Sequence, residues 1–240
     1  MIPRAHSPIR GLPWLVSAAL VVFAFAPSRS GSAAPQAETT GSPTLTVTLA
    51  RDPAVSPDGS TIVFAWNEDL WSIPRDGGTA KRLTGEAGAD QAPAFSPDGK
   101  RLAFLSNREG ADQVFIMPSE GGTPRQITFH SAGVSRVVWH PDGESLLVEA
   151  SRDHHWRRPN RVFKIKKDGT GAEELVFDAY GQWVSPSPDG SVLLFNREGV
   201  AWWRKGYHGS QAAQIWNHKP ADGSFNQVLA PETGARWPLW

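Results

Sequence analysis

Ser56-Pro57-Asp58-Gly59 recurs as Ser96-Pro97-Asp98-Gly99, His140-Pro141-Asp142-Gly143 and Ser187-Pro188-Asp189-Gly190, at intervals of 40, 44 and 47 residues. Proline presets φ at the second position, aspartate bonds its own backbone and glycine accepts positive φ, so each copy predicts a tight connection between antiparallel strands. The same backbone bonding accounts for Asp58, Asp98, Asp142 and Asp189 as turn residues. Units of roughly 40 to 50 residues, each with several short apolar runs and turn signals, are the repeats of propeller blades.

Eight residues after each anchor's first residue stands a large apolar side chain: Phe64, Phe104, Val148 and Phe195. Each lies in a short run rich in Val, Ile, Leu or Phe, the pattern of a buried strand. A third strand carries Trp71, Phe115, Phe163 and Trp216, and 12 residues later a fourth carries Leu83, Ile127, Leu175 and Val228. Asp76-Gly77-Gly78, Glu120-Gly121-Gly122, Asp168-Gly169 and Asp222-Gly223 supply hairpin turns between them. The expected fold is all-β: a β-propeller with four four-stranded blades near 50–86, 87–131, 132–180 and 181–230. From fourth strand to next anchor the step is 13, 13 and 12 residues, which puts the next anchor at position 241 and makes Leu239-Trp240 equivalent to Ala94-Phe95 and Val138-Trp139. The spacing therefore predicts the front of a longer protein, an incomplete six- or seven-bladed ring over 44–240 with a fifth blade beginning at 231–240. A closed four-bladed ring is the alternative.

Composition agrees. The chain has 23 Gly and 20 Pro in 240 residues and 10% aromatic content, which suits an all-β chain dense in turns. Lys plus Arg number 24 and Asp plus Glu 24. That balance lacks the clustered cationic excess of a nucleic-acid binder. Arg4 and Arg10 precede the apolar run 15–26 and small residues around 31–34, the layout of a signal peptide over 1–34. The run of about a dozen residues is short against the roughly 20 of a membrane span, the alternative being an uncleaved anchor. An exported, periplasmic or extracellular location is expected, without membrane attachment after cleavage. Residues 35–43 read as a polar linker. The chain has no cysteine, which excludes disulfides and lipid attachment through an N-terminal Cys.

The anchors, with Gly77-Gly78-Thr79 and Arg82-Leu83-Thr84, resemble the TolB-like propeller repeat of TolB, tricorn-type peptidases and prolyl-oligopeptidase relatives. The run Trp203-Arg204-Lys205-Gly206-Tyr207-His208-Gly209-Ser210-Gln211-Ala212-Ala213-Gln214-Ile215-Trp216 is similar to the W-K-R-Y-R-G-G-x-A-x-D-I-W segment of bacterial tricorn-type serine peptidases, departing from it at Gly206, His208 and Gln214. Residues 69–84 are also similar to the first blade of that family. The resemblance implies a large exported enzyme whose N-terminal propeller precedes a second propeller, a PDZ module and a serine peptidase domain. No catalytic residue falls on this chain: it contains neither a G-x-S-x-G elbow nor an H-E-x-x-H helix. The other readings are a TolB-like periplasmic interaction propeller and the propeller of a prolyl-oligopeptidase or amidohydrolase relative.

Candidate binding residues come from loop length. Anchor to third-strand aromatic grows from 15 to 19, 23 and 29 residues, so one face carries the length variation and the opposite face short, uniform turns. Binding residues concentrate on such loops. The third loop offers Arg152, His155, Trp156, Arg157 and Arg158, and the fourth Trp202, Trp203, Arg204, Tyr207 and His208. Aromatic and Arg side chains dominate protein-binding hot spots, and Arg grips a carboxylate with a two-pronged fork. The expected partners are a peptide, a protein or the peptidase domains of the same protein. The competing reading is packing of these rings onto the blade edge under stacked arginines. His154-His155 has no third ligand in step with it, so neither a metal nor another cofactor is expected. An open run of blades is also expected to associate into oligomers.

Overall fold

The computed structural model describes residues 46–152, 160–197, 212–229 and 235–240. Among them there is no helix long and apolar enough to cross a membrane. Among the described residues sixteen strands form four antiparallel sheets, each a simple meander. The first sheet is β1 (Arg51–Val55), β2 (Thr61–Trp66), β3 (Asp69–Pro74) and β4 (Lys81–Arg82). The second is β5 (Asp90–Phe95), β6 (Arg101–Ser106), β7 (Gln113–Pro118) and β8 (Arg125–Gln126). The third is β9 (Arg136–Trp139), β10 (Ser145–Ala150), β11 (Arg161–Lys166) and β12 (Glu174–Leu175). The fourth is β13 (Gln182–Pro186), β14 (Leu193–Arg197), β15 (Gln214–Lys219) and β16 (Ser224–Leu229).

Each anchor joins the first two strands of its sheet. In the first, Gly59 at φ 71° lets its N–H reach Ser56 O at 2.8 Å, and Asp58 accepts from the Ser56 hydroxyl at 2.6 Å and the Ser60 N–H at 3.1 Å. The Ser187 hydroxyl and the Ser191 N–H pull the Asp189 carboxyl down to about 2. The two apolar markers of every unit are cross-strand partners: Phe64 faces Trp71, Phe104 Phe115, Val148 Phe163 and Phe195 Trp216. Such pairs are the unit of sheet stabilisation.

Sheets pack face to face, so the middle sheets are apolar on both sides. Phe104 and Leu102 point into a core shared with Val63 and Leu70 of the first sheet, while Ala103 and Leu105 meet Val137 and Leu146 of the third. The third core joins Leu147 and Val162 to Val184, Leu193 and Phe195. First strands neighbour one another along a common axis. Trp139 Nε1 donates to Ala94 O at 3.0 Å, and a cavity of about 460 Å³ is bounded by the four anchor prolines, Pro57, Pro97, Pro141 and Pro188.

The fourth-strand register departs from the uniform 12-residue step in two sheets. Leu83 N and Ile127 N donate to Leu70 O and Val114 O at 2.8 and 2.9 Å, and the equivalent bond in the third sheet is Val176 N to Val162 O at 3.0 Å. Val176 thus takes the place expected of Leu175, which is 37% exposed. In the fourth sheet Leu229 pairs with Ile215, and Val228, 48% exposed, is the extra residue of a bulge. The hydrogen-bond ladder, not the apolar spacing, sets these positions.

Candidate functional site: the axial end of the loop face

The connections from second to third strand run 67–68, 107–112, 151–160 and 198–213, lengthening around the molecule. Asn67 and Glu68 both have positive φ, 50° and 68°, and close the shortest as a two-residue hairpin. The turns at the opposite end stay short. Of the loop residues expected to bind, only Arg152 is described. Its guanidinium lies 4.7 Å over the Phe163 ring, its side chain is 7% exposed, and it pairs with Glu173. His155, Trp156, Arg157, Arg158, Trp202, Trp203, Arg204, Tyr207 and His208 lie outside the described residues.

At the axis on this same face stands a group that loop length does not reveal. The first strands of sheets one, two and four are bulged at one repeated position, four residues before the anchor. Asp52, Ala92 and Trp183 occupy it at φ 51°, 51° and 59°. Trp237, in the stretch 235–240 beside the fourth sheet, has the same conformation at φ 58°. Arg136 fills the equivalent place in the third sheet, where pairing is regular. A left-handed backbone is costly for a bulky side chain, and such strain gathers where function requires a particular projection.

These positions meet across neighbouring sheets. Ala92 N–H approaches Asp52 Oδ2 at 3.4 Å. The Arg136 guanidinium lies 4.7 Å over the Trp183 ring, and the Trp183 and Trp237 rings meet edge to face at 6.2 Å. Trp183 and Trp237 remain 39% and 52% exposed. The base of the third loop adjoins them. Gly181 N donates to Asn160 O at 3.0 Å and Asn160 Nδ2 to Ser135 Oγ at 3.1 Å.

The backbone at each tryptophan is held by a polar side chain from the preceding second strand. Glu149, 2% exposed, accepts the Val184 N–H at 2.8 Å, and Asn196 Oδ1 accepts the Trp237 N–H at 2.7 Å. Arg136 Nε lies 3.6 Å from Glu149 Oε1, too far for a hydrogen bond, and is buried without a hydrogen-bond partner among the described residues. Burial raises the Glu149 carboxyl above its ordinary range, opposed by the Val184 N–H and by Arg136. The arrangement combines two exposed indoles and one stacked cation, with the buried carboxylate of Glu149 behind Trp183 and the amide of Asn196 behind Trp237. It offers stacking surface and hydrogen-bond donors to an extended chain. No residue type marks the position in the sequence: Asp52, Ala92, Arg136 and Trp183 share only their place four residues before an anchor.

Residues 47–240 match the family described as the tricorn protease N-terminal beta propeller domain. Tricorn protease homolog 1 of Streptomyces coelicolor is 32% identical over 193 residues, covering 77% of this chain and 17% of that protein. A Protein TolB homolog of Chlorobium luteolum is 40% identical over 58 residues, 24% of this chain and 13% of its own. Among solved structures, that of the tricorn protease superposes with a TM-score of 0.59 at 19% identity, covering 77% of this chain and 18% of that one. A putative TolB from Agrobacterium tumefaciens gives 0.63 at 19% identity, covering 78% and 67%. The two structural likenesses speak to fold alone, and the chain spans less than a fifth of the length of its tricorn relatives. With the match running through all four sheets, the chain belongs to the family of tricorn protease N-terminal β-propeller domains.

Proposed function

We propose that this chain is a non-catalytic propeller segment that binds or guides peptides at the axial end of its loop face, in the service of an exported tricorn-type serine peptidase whose chemistry lies in other domains. The observation that carries the reading is the pair of left-handed tryptophans, Trp183 and Trp237, exposed beside the stacked Arg136. Indole and guanidinium groups supply most of the energy at protein-recognition surfaces, and rigid presentation lowers the ordering cost of binding. On the same reading the loop residues His155, Trp156, Arg157 and Arg158, with Trp202, Trp203, Arg204, Tyr207 and His208, supply further contacts to the peptide, and Arg152 anchors the start of the third loop. Export rests on Arg4, Arg10 and the apolar run 15–26. N-terminal sequencing of the secreted protein is expected to begin near Pro35.

Fluorescence anisotropy of labelled oxidised insulin B chain, an unfolded peptide, tests the binding. Combined Arg136→Ala, Trp183→Ala and Trp237→Ala substitution is expected to weaken it by about thirtyfold or more, the loss of at least one hot spot. Unchanged affinity in a folded triple variant overturns the axial site. A second reading, a TolB-like protein-interaction propeller, draws on the short stretch of higher identity to a TolB homolog. It predicts capture of a folded partner that insulin B chain does not displace.

A further inference from the structure

The tryptophans of the four sheets divide by what their indole N–H groups do. Trp66, Trp71, Trp139 and Trp216 donate theirs to Thr48 O, Trp66 O, Ala94 O and Gln214 Oε1. Among the described residues the N–H groups of Trp183 and Trp237 meet no acceptor, and both side chains are more than a third exposed. The Arg136 guanidinium beside them also makes no hydrogen bond among the described residues, its Nε standing 3.6 Å from Glu149. The side-chain acceptors that hold the two tryptophans are already engaged, Glu149 Oε1 with the Val184 N–H and Asn196 Oδ1 with the Trp237 N–H. At the two indoles the site therefore gives ring surface and N–H donors, with the adjoining carboxylate and amide oxygens spent.

That imbalance selects among peptides. An ordinary chain carries one N–H for every carbonyl, and an N–H laid against a surface of donors loses its bond to water without replacement. Proline carries the carbonyl and no N–H. A run of prolines also forms a polyproline II helix, which has no internal hydrogen bonds and keeps its carbonyls free to accept. We propose, resting on the reading that peptides bind at this axial end, that the site selects proline-rich segments in the polyproline II form, with Trp183 and Trp237 donating to their carbonyls and packing against their rings. Aromatic surfaces capture such segments at low ordering cost because the helix exists before binding. The protein side is equally fixed: both tryptophans hold left-handed backbones, at φ 59° and 58°, secured through Glu149 and Asn196. Arg136, stacked 4.7 Å over the Trp183 ring, brings further N–H groups for a carbonyl.

Fluorescence anisotropy of the full chain with two labelled peptides of equal length, one of proline alone and one of alternating alanine and glutamine, is the test. The proline peptide is expected to bind at least about tenfold tighter. Trp183→Phe with Trp237→Phe keeps ring surface and removes both N–H donors, so it should abolish that preference with the circular dichroism unchanged. A preference that survives the phenylalanine pair overturns the proposal. Equal affinity for the two peptides, lost in the combined Arg136→Ala, Trp183→Ala and Trp237→Ala variant, overturns the proline selection and leaves the axial site standing. So does capture of insulin B chain without capture of the proline peptide. Binding of either peptide that the triple variant leaves untouched overturns the axial reading itself.

Discussion

The junction between the first two sheets and that between the last two share a topology and are held by different chemistry. At the first, Lys81 reaches across to Glu120 O at 2.8 Å, and on the first sheet's own side Thr84 Oγ1 accepts the Leu70 N–H at 2.9 Å and Arg82 pairs with Asp69 at 2.7 Å. The second junction repeats this, with Thr128 Oγ1 on the Val114 N–H at 2.8 Å and Arg125 on the next hairpin. At the third, Phe177 stands where those threonines stand, and Glu174 where the cations stand. Phe177 packs against Phe195 at 4.8 Å and His218 at 5.1 Å, and Glu149 bonds the backbone of the next sheet. Threonine hydroxyls thus cap a backbone N–H at the first two junctions, whereas Phe177 fills volume at the third and the carboxylate of Glu149 takes the Val184 N–H of the next sheet.

Breaking the aromatic version carries the largest expected cost. Phe177→Ala should lower unfolding free energy by about 4 kcal/mol, because a 5% exposed ring leaves a cavity among Phe195, His218 and Phe225. Phe177→Thr, which restores the residue of the other junctions, is expected to recover part of that loss, read by denaturant midpoint. Recovery in full would make the ring dispensable. Glu149→Leu follows at about 3 kcal/mol, since it removes the acceptor of the Val184 N–H and the partner of Arg136, whereas Glu149→Gln keeps one acceptor and should cost about 1 kcal/mol. Arg125→Ala tests the polar version. Loss of its two bonds to Asp168 O and Lys167 O, 2.6 and 2.9 Å, should cost about 1 kcal/mol.

These differences explain what could be read in advance. The anchors, their aspartates and the cross-strand markers such as Phe64 with Trp71 were legible, because turn chemistry and period-two burial are local. The slip from Leu175 to Val176, and from Val228 to Leu229, was not, since two adjacent apolar residues fit the spacing equally well and only the backbone ladder separates them. The left-handed conformations of Trp183 and Trp237 were hidden for another reason. Positive φ is ordinarily announced by Gly or Asn, and here neither marks it. Glu149 resembles any solvent-facing glutamate of a strand until the neighbouring sheet closes over it. The loop arginines and tryptophans stood out by composition alone, while the axial group is assembled from sheets 40 and more residues apart.

The smallest effect concerns pH and separates the two junction types most cleanly. His218 stacks on Phe225 at 4.4 Å and beside Phe177, and burial lowers its pKa below the ordinary 6.5. A depressed histidine favours the neutral form in the folded state, so its contribution is complete above 6.5 and is lost as pH falls through the folded value. Glu149, raised by burial, acts in the opposite sense: it is least costly when protonated, and its cost grows as pH climbs through its raised value. Acidification below 6.5 should therefore loosen the fourth sheet through His218, while protonation of Glu149 acts in the opposite sense. His218→Phe is expected to flatten the fall in melting temperature between neutral and mildly acidic pH while leaving the acid-side response of Glu149 in place. Hydrogen exchange at Val184 and Phe225 is the local readout, with Leu70 and Val114 at the threonine-capped junctions as internal references. Equal acid sensitivity at both would show that the aromatic junction has no titrating element of its own.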